Sequence, residues 1–305
     1  MKRYVLVKTT KDLTVGHLYE HIFLTELSNL LRNDGWLSFL DYDISGETLQ
    51  AGIIILRLDI YNENLEKKFK KIVDNIKIHF SRTIITDAIS QISAEKQMSF
   101  NYQPNKIMSY LQQLHSQDWL DLCNVKIRDR LKENTNSQVI TVQEKQFIIK
   151  QLQIQLLFPI QNSKAELLAP LFLFVGRLLA DNICELGENK FKCFNSCTWS
   201  DFTEQTMVSV VEFRQLGPDD RSDNFLQHIE RLLKEVQHPK NISKMINFFH
   251  NTNWGHAQEW FISPFESIQE CGELLGGQDW QELITKQNSL AVIQHIKTYC
   301  FYDEK

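Results

Sequence analysis

The chain reads as an α+β protein of two homologous halves, each a mostly antiparallel sheet with helices packed on it, and three observations carry that reading. Short stretches bounded by turn residues alternate apolar with polar side chains, the mark of half-buried antiparallel strands. Longer stretches between them place apolar residues at helical spacing. The order strand, helix, two strands, helices then occurs twice, offset by roughly 150 residues, a period that means duplicated domains and not a solenoid.

A short strand at Tyr4–Lys8 precedes a helix over about Thr14 to Arg32, which Asn33, Asp34 and Gly35 bring to a stop. Two antiparallel strands follow. The first lies in Trp36 to Asp43; the second lies in Glu47 to Tyr61, where Leu56, Leu58 and Ile60 alternate with Arg57, Asp59 and Tyr61. Helices are expected at about Glu63–His79 and Arg82–Phe100, with a third region around Asn105–Asp118. The polar run Lys132 to Ser137 suits a linker, which divides the chain into 1–135 and 136–305. Beyond it come a strand at Gln146–Phe158, a helix at about Lys164–Leu186, strands near Lys190–Thr198 and Gln205–Gln215, and helices at about Arg221–Gln237 and Ile242–Phe249.

Composition narrows the function. The 305 residues are long enough for two modest domains, and 43% hydrophobic with 23% charged residues is ordinary for a soluble globular protein. A net charge of −5 argues against nucleic acid as a partner, since the basic run Lys67 to Lys71 is the solvated face of a helix. No stretch approaches the length of a membrane span, and the N-terminal apolar stretch is too short for a signal peptide. Six cysteines without a C-x-x-C pair point to a reducing cytoplasm.

The stretch with the clearest chemistry is Thr14 to Glu26, which holds His17, Glu20 and His21 in the order H-x-x-E-H. This is the inverted form of a zinc metallopeptidase motif. On a helix, His17 and His21 stand one turn apart on the same face, so two imidazoles can converge on one ion with Glu20 beside them. A tetrahedral catalytic zinc takes three protein ligands, so a third is expected elsewhere. Glu95 is the candidate, at the edge of the buried face of the helical run Asp87 to Phe100 and 74 residues past His21.

With these residues the chain resembles the inverzincin or M16 metallopeptidases, in which the third ligand is a glutamate on its own helix at a comparable distance past the second histidine. The resemblance implies homologous α+β halves, one zinc per chain held by His17, His21 and Glu95, and Glu20 as the base that takes a proton from water and passes it to the leaving amine. It also implies that a peptide substrate adds as a strand to the sheet edge next to the metal, which places Trp36, Leu37, Ser38, Phe39 and Leu40 in substrate binding. His256 with Glu259, and His79, His115 and His250, lack a second ligand at helical spacing and read as satisfied or surface histidines.

Three positions depart from the family pattern. Ala88 stands where a second glutamate occurs, seven residues before Glu95. In the second half, Ile183 to Phe191 resembles a pattern whose arginine and tyrosine steady the substrate carbonyl, with Cys184 and Phe191 in their places. The expectation is therefore a zinc-bearing subunit that works with a second M16-like subunit or as a homo-oligomer. The alternative is a partner or peptide-binding subunit of the same design without efficient hydrolysis.

Overall fold

The computed structural model describes residues 2–50, 52–96, 98–120, 140–143, 150–159, 168–191, 194–203, 206–215, 222–251, 266–271 and 280–304. The chain forms two compact units, Met1–Ile148 and Ile149–Lys305. The expected linker at 132–137 lies outside the described residues.

In the first unit, β1 (Lys2–Thr9), α1 (Leu13–Asn33), β2 (Tyr42–Leu49) and β3 (Ile53–Ile60) build an antiparallel sheet in the order β1-β3-β2. Alternation sets its faces. Leu56, Leu58 and Ile60 of β3 are buried together with Tyr42 of β2, whereas Arg57 and Asp59 lie on the opposite face in ion pairs with Glu47 and Arg3. The buried face receives α1 through Val15, Leu18, Tyr19, Ile22, Phe23, Leu27 and Leu31. The helices α2 (Glu63–Asn75), α3 (Arg82–Lys96) and α4 (Pro104–Ser116) add Leu65, Phe69, Ile85, Ile92, Ile107 and Leu111 to the same core. A two-stranded ribbon of β4 (Ser99–Tyr102) and β5 (Ile140–Gln143), absent from the sequence expectation, closes the described part of this unit.

Three local expectations are corrected. The strand expected over Glu47 to Tyr61 is divided: Glu47 to Leu49 complete β2, and β3 starts at Ile53, because Gly52, at φ 72°, turns the chain and donates to the Leu49 carbonyl (2.9 Å). The first strand after α1 begins at Tyr42, not Trp36. Residues 37–41 form a buried turn in which Asp41 Oδ2 accepts the Leu37 N–H (2.9 Å), Asp41 Oδ1 accepts the Asn62 side chain (2.7 Å), and Phe39 takes a left-handed φ of 63° with its ring in the core. Apolar residues there fill the core from a turn, which a strand reading cannot distinguish. Likewise α2 ends at Asn75, because Ile76, Ile78 and Phe80 are buried alternately with exposed Lys77 and His79, a period of two that only extended backbone satisfies.

The back of α1 holds a buried lysine. Lys8, on the same sheet face as Leu6, is 1% exposed; its ammonium donates to the carbonyls of His115 (3.2 Å) and Gln117 at the C-terminal end of α4 and lies 4.3 Å from the Trp119 ring centre. Tyr19 Oη pairs with His115 Nδ1 at 3.0 Å beside it. Burial pushes the Lys8 ammonium down to about 8, raises the Tyr19 phenol and lowers the His115 imidazole.

The second unit has β6 (Lys150–Pro159), α5 (Ala169–Lys190), β7 (Phe194–Thr203), β8 (Thr206–Gln215), α6 (Ser222–Val236), α7 (Pro239–Asn251), α8 (Glu266–Cys271), a 3-10 turn at Trp280–Leu283, α9 (Lys286–His295) and β9 (Lys297–Glu304). Its sheet runs β7-β8-β6-β9, so β6, β8 and β7 repeat the first-third-second order of β1, β3 and β2, with β9 added outside β6. α5 can press on β8 because Gly176 and Gly187, three turns apart, face Ser209 and Phe213. A Cβ at either glycine would overlap a side chain. The helix runs on to Lys190 and the following strand starts at Phe194, later than expected from Lys190. Among the described residues no helix is long and apolar enough to cross a membrane.

Candidate metal centre

α1 starts where Asp12 caps it, accepting the N–H groups of Thr14 (3.0 Å) and Val15 (3.1 Å). It ends where Gly35, at φ 77°, turns the chain and donates to the Arg32 carbonyl (2.9 Å). Between those caps the helix buries Leu18, Tyr19 and Ile22 against the sheet and α4, which leaves His17 and His21 on the flank toward α3. Glu95, in the last turn of α3, reaches the same point.

The three side chains meet in a compact triangle. His17 Nε2 and His21 Nε2 are 3.1 Å apart, and Glu95 Oε2 is 3.3 Å from each. Ligand atoms at about 2.0–2.1 Å from a tetrahedral zinc stand about 3.3–3.4 Å from one another, so the donor triangle fits a zinc ion with little movement and leaves a fourth position open. The donor set also fits, as two imidazoles and one carboxylate suit zinc better than calcium or magnesium. Hydrogen bonds from His17, then from His21, hold the Glu95 carboxyl well below the usual carboxylate range, against the opposing effect of its partial burial. That direction favours the ionised carboxylate, the form a metal needs.

Glu20 is not part of that triangle. It is 6% exposed, and its carboxylate lies against β2: Thr48 Oγ1 donates to Glu20 Oε2 at 2.6 Å, and a Cβ on Gly46 would stand 2.9 Å from Glu20 Oε1. Neither Thr48 nor Gly46 was among the sequence candidates. Gly46 lay between the two expected strands, where a glycine reads as a turn residue, so its close approach to Glu20 had no signal in the sequence reading.

The five residues expected to bind substrate are distributed otherwise. Leu37, Ser38, Phe39 and Leu40 are buried in the turn before β2, and Trp36 is half-buried with Lys68 Nζ 6.0 Å from its ring centre. The sheet edge near Glu20 is β2 itself. Tyr61 donates to the Asp41 carbonyl (2.9 Å), so by the alternation of antiparallel pairing Asp43, Ser45 and Glu47 turn their peptide groups toward β3, and Ile44, Gly46 and Thr48 turn theirs outward. Among the described residues no strand pairs with that outer edge.

The departures from the family pattern have structural roles. Ala88 is buried on α3. Cys184 is buried on α5, and Phe191, at the end of that helix, packs edge-on to Phe225 with ring centres 4.6 Å apart. His256 and Glu259 lie outside the described residues; His79 and His250 are exposed.

No family model and no curated protein matches this chain. Similar solved structures include a protease from Helicobacter pylori, at 11% identity and a TM-score of 0.32, covering 98% of this chain and 93% of that one. They also include a ferredoxin protease in complex with Arabidopsis ferredoxin, at 9% identity and 0.32, covering 98% of this chain and 42% of that one. A third is a peptidase M16 inactive domain from Pseudomonas fluorescens, at 10% identity and 0.30, covering 98% and 92%. Scores this low carry no argument, so function rests on the site's own geometry.

Proposed function

We propose that the chain is a zinc-dependent metallopeptidase of M16-like design, acting on peptides or unfolded segments. The observation that carries this is the donor triangle of His17, His21 and Glu95, with a fourth group, Glu20, one residue before His21, buried and hydrogen-bonded to Thr48 outside the triangle. Zinc in that position supplies a Lewis acid that polarises a peptide carbonyl and acidifies water.

The chain's own residues supply the rest. His17, His21 and Glu95 would hold the ion with two neutral imidazoles and one anionic carboxylate. Glu20, carried one residue before His21, takes the proton of the attacking water and returns it to the departing amine. The outward peptide groups of Ile44, Gly46 and Thr48 offer an extended substrate a run of backbone hydrogen bonds beside Glu20, which confers affinity with little sequence preference. The substrate edge is thus β2, in place of the Trp36–Leu40 segment.

A second reading, a peptide-binding or partner subunit with slow hydrolysis, is favoured by Cys184 and Phe191. A buried thiol and a packed phenyl ring provide no strong donor to an oxyanion. Glu20→Gln separates the two. In a peptidase it keeps about one zinc per chain and lowers peptide hydrolysis by about three orders of magnitude or more. Turnover retained in that variant would reassign the base, and none in the wild type under any pairing would favour the binding subunit.

A further inference from the structure

We propose that Thr48, with Gly46, aims the base: Thr48 anchors Glu20 Oε2, and the missing side chain at Gly46 leaves Oε1 room, so that Oε1 is the oxygen that takes the proton. Thr48 is a positioning residue and Glu20 the catalytic one. The claim rests on the peptidase reading for what Glu20 does, but not for where Glu20 points.

Two independent observations converge on the same carboxylate. The first is the 2.6 Å hydrogen bond from Thr48 Oγ1, a hydroxyl donor to a 6% exposed carboxylate. The second is steric: a Cβ at Gly46 would come within 2.8 Å of Glu20 Cγ, 2.9 Å of Oε1 and 2.9 Å of Leu24 Cδ1. Residues 46 and 48 are two apart on one strand and therefore face α1 together, so one oxygen is tied down and the other lies over a position without a side chain. A glutamate with several rotatable bonds in a partly apolar setting has other orientations open to it, including one toward the donor triangle. Holding it in one place preserves the distinction between base and ligand.

The arrangement also joins substrate to base. Gly46 and Thr48 turn their peptide groups to the outer edge of β2, unpaired among the described residues, while their other side touches Glu20. A peptide paired along that edge is thereby fixed relative to Oε1 by two residues of one strand, a short and stiff path.

The test uses the full chain with Thr48→Val, which keeps the shape and removes the donor, Thr48→Ser, which keeps the donor, and Gly46→Ala. Each is read by bound zinc, by kcat and KM on an unstructured peptide, and by the position of Glu20 in a crystal structure. Thr48→Val and Gly46→Ala should each keep about one zinc per chain and lower kcat by about tenfold to a hundredfold, with KM within about twofold, while Thr48→Ser stays within about threefold of wild type. In crystals the Glu20 carboxylate should leave its place in Thr48→Val and Gly46→Ala and keep it in Thr48→Ser. A Glu20 that stays in place in Thr48→Val overturns the proposal, as does equal loss of kcat in Thr48→Val and Thr48→Ser. If the wild type binds no zinc and cleaves nothing, the peptidase reading fails, and the crystal position of Glu20 in the same variants still decides the positioning claim. If Thr48→Val does not fold, Thr48→Ala serves in its place with the same expected outcomes.

Discussion

The pairing of His17 with His21 was legible in the sequence because helix geometry alone puts residues four apart on one face, and Glu95 was chosen through the M16 resemblance, whose third ligand stands at a comparable spacing on its own helix. Thr48 and Gly46 were not, since their link to Glu20 passes between a helix and a strand 28 residues away and leaves no local pattern. Lys8 was read only as part of a strand, and its burial is a tertiary fact with a consequence for pH. Its folded-state value of about 8 lies below the ordinary 10.5, so between those values the unfolded chain binds more protons and stability must rise with pH. Below pH 8 the full burden, about 3 kcal/mol, is carried by the fold. Urea unfolding at intervals from pH 7 to pH 11 should therefore find wild type gaining on Lys8→Met by about that amount, mostly between pH 8 and 10.5. Parallel curves for the two proteins would mean that the carbonyls of α4 and the Trp119 face keep Lys8 charged at no net cost.

Among the elements, α1 was the best read, because it carries a 3.6-residue period over Leu13–Asn33, whereas in β3 only Leu56–Ile60 alternates and the expected strand ran back to Glu47. The failures came where a short apolar run had no period to betray it. Trp36 to Asp41 holds enough apolar residues for a strand, and the structure spends them in a turn whose left-handed Phe39 is fixed by Asp41. That carboxylate is fully buried and accepts both a backbone N–H and the Asn62 amide. Asp41→Ala leaves two donors without it, so it should lower unfolding free energy by about 1–3 kcal/mol in urea melts. A variant as stable as wild type would mean that water or a rearranged turn takes over both donors. The same turn sets where β2 begins, and with it which peptide groups reach the outer edge beside Glu20.

At the scale of the molecule, the repeated strand order of the two units agrees with the alternating element order read from the sequence, whereas β4, β5 and β9 were unforeseen because short pairings between distant segments leave little local signal. Buried Cys184 and packed Phe191 carry no strong hydrogen-bond donor at the two positions where the M16 resemblance implies an arginine and a tyrosine. The purified chain should accordingly cleave unstructured peptides slowly by itself, and a partner subunit that brings an arginine and a tyrosine should raise the rate by about two orders of magnitude. Fast cleavage by the isolated chain, unchanged by substitutions at 184 and 191, would remove the need for a partner. All of this depends on the donor triangle being a metal site, and the most direct measurement is the zinc content of the purified chain beside His21→Ala and Glu95→Gln. About one zinc per wild-type chain and close to none in either variant is the expected result. Equal metal content in all three proteins, or a wild type that takes up no zinc when it is supplied, would contradict it.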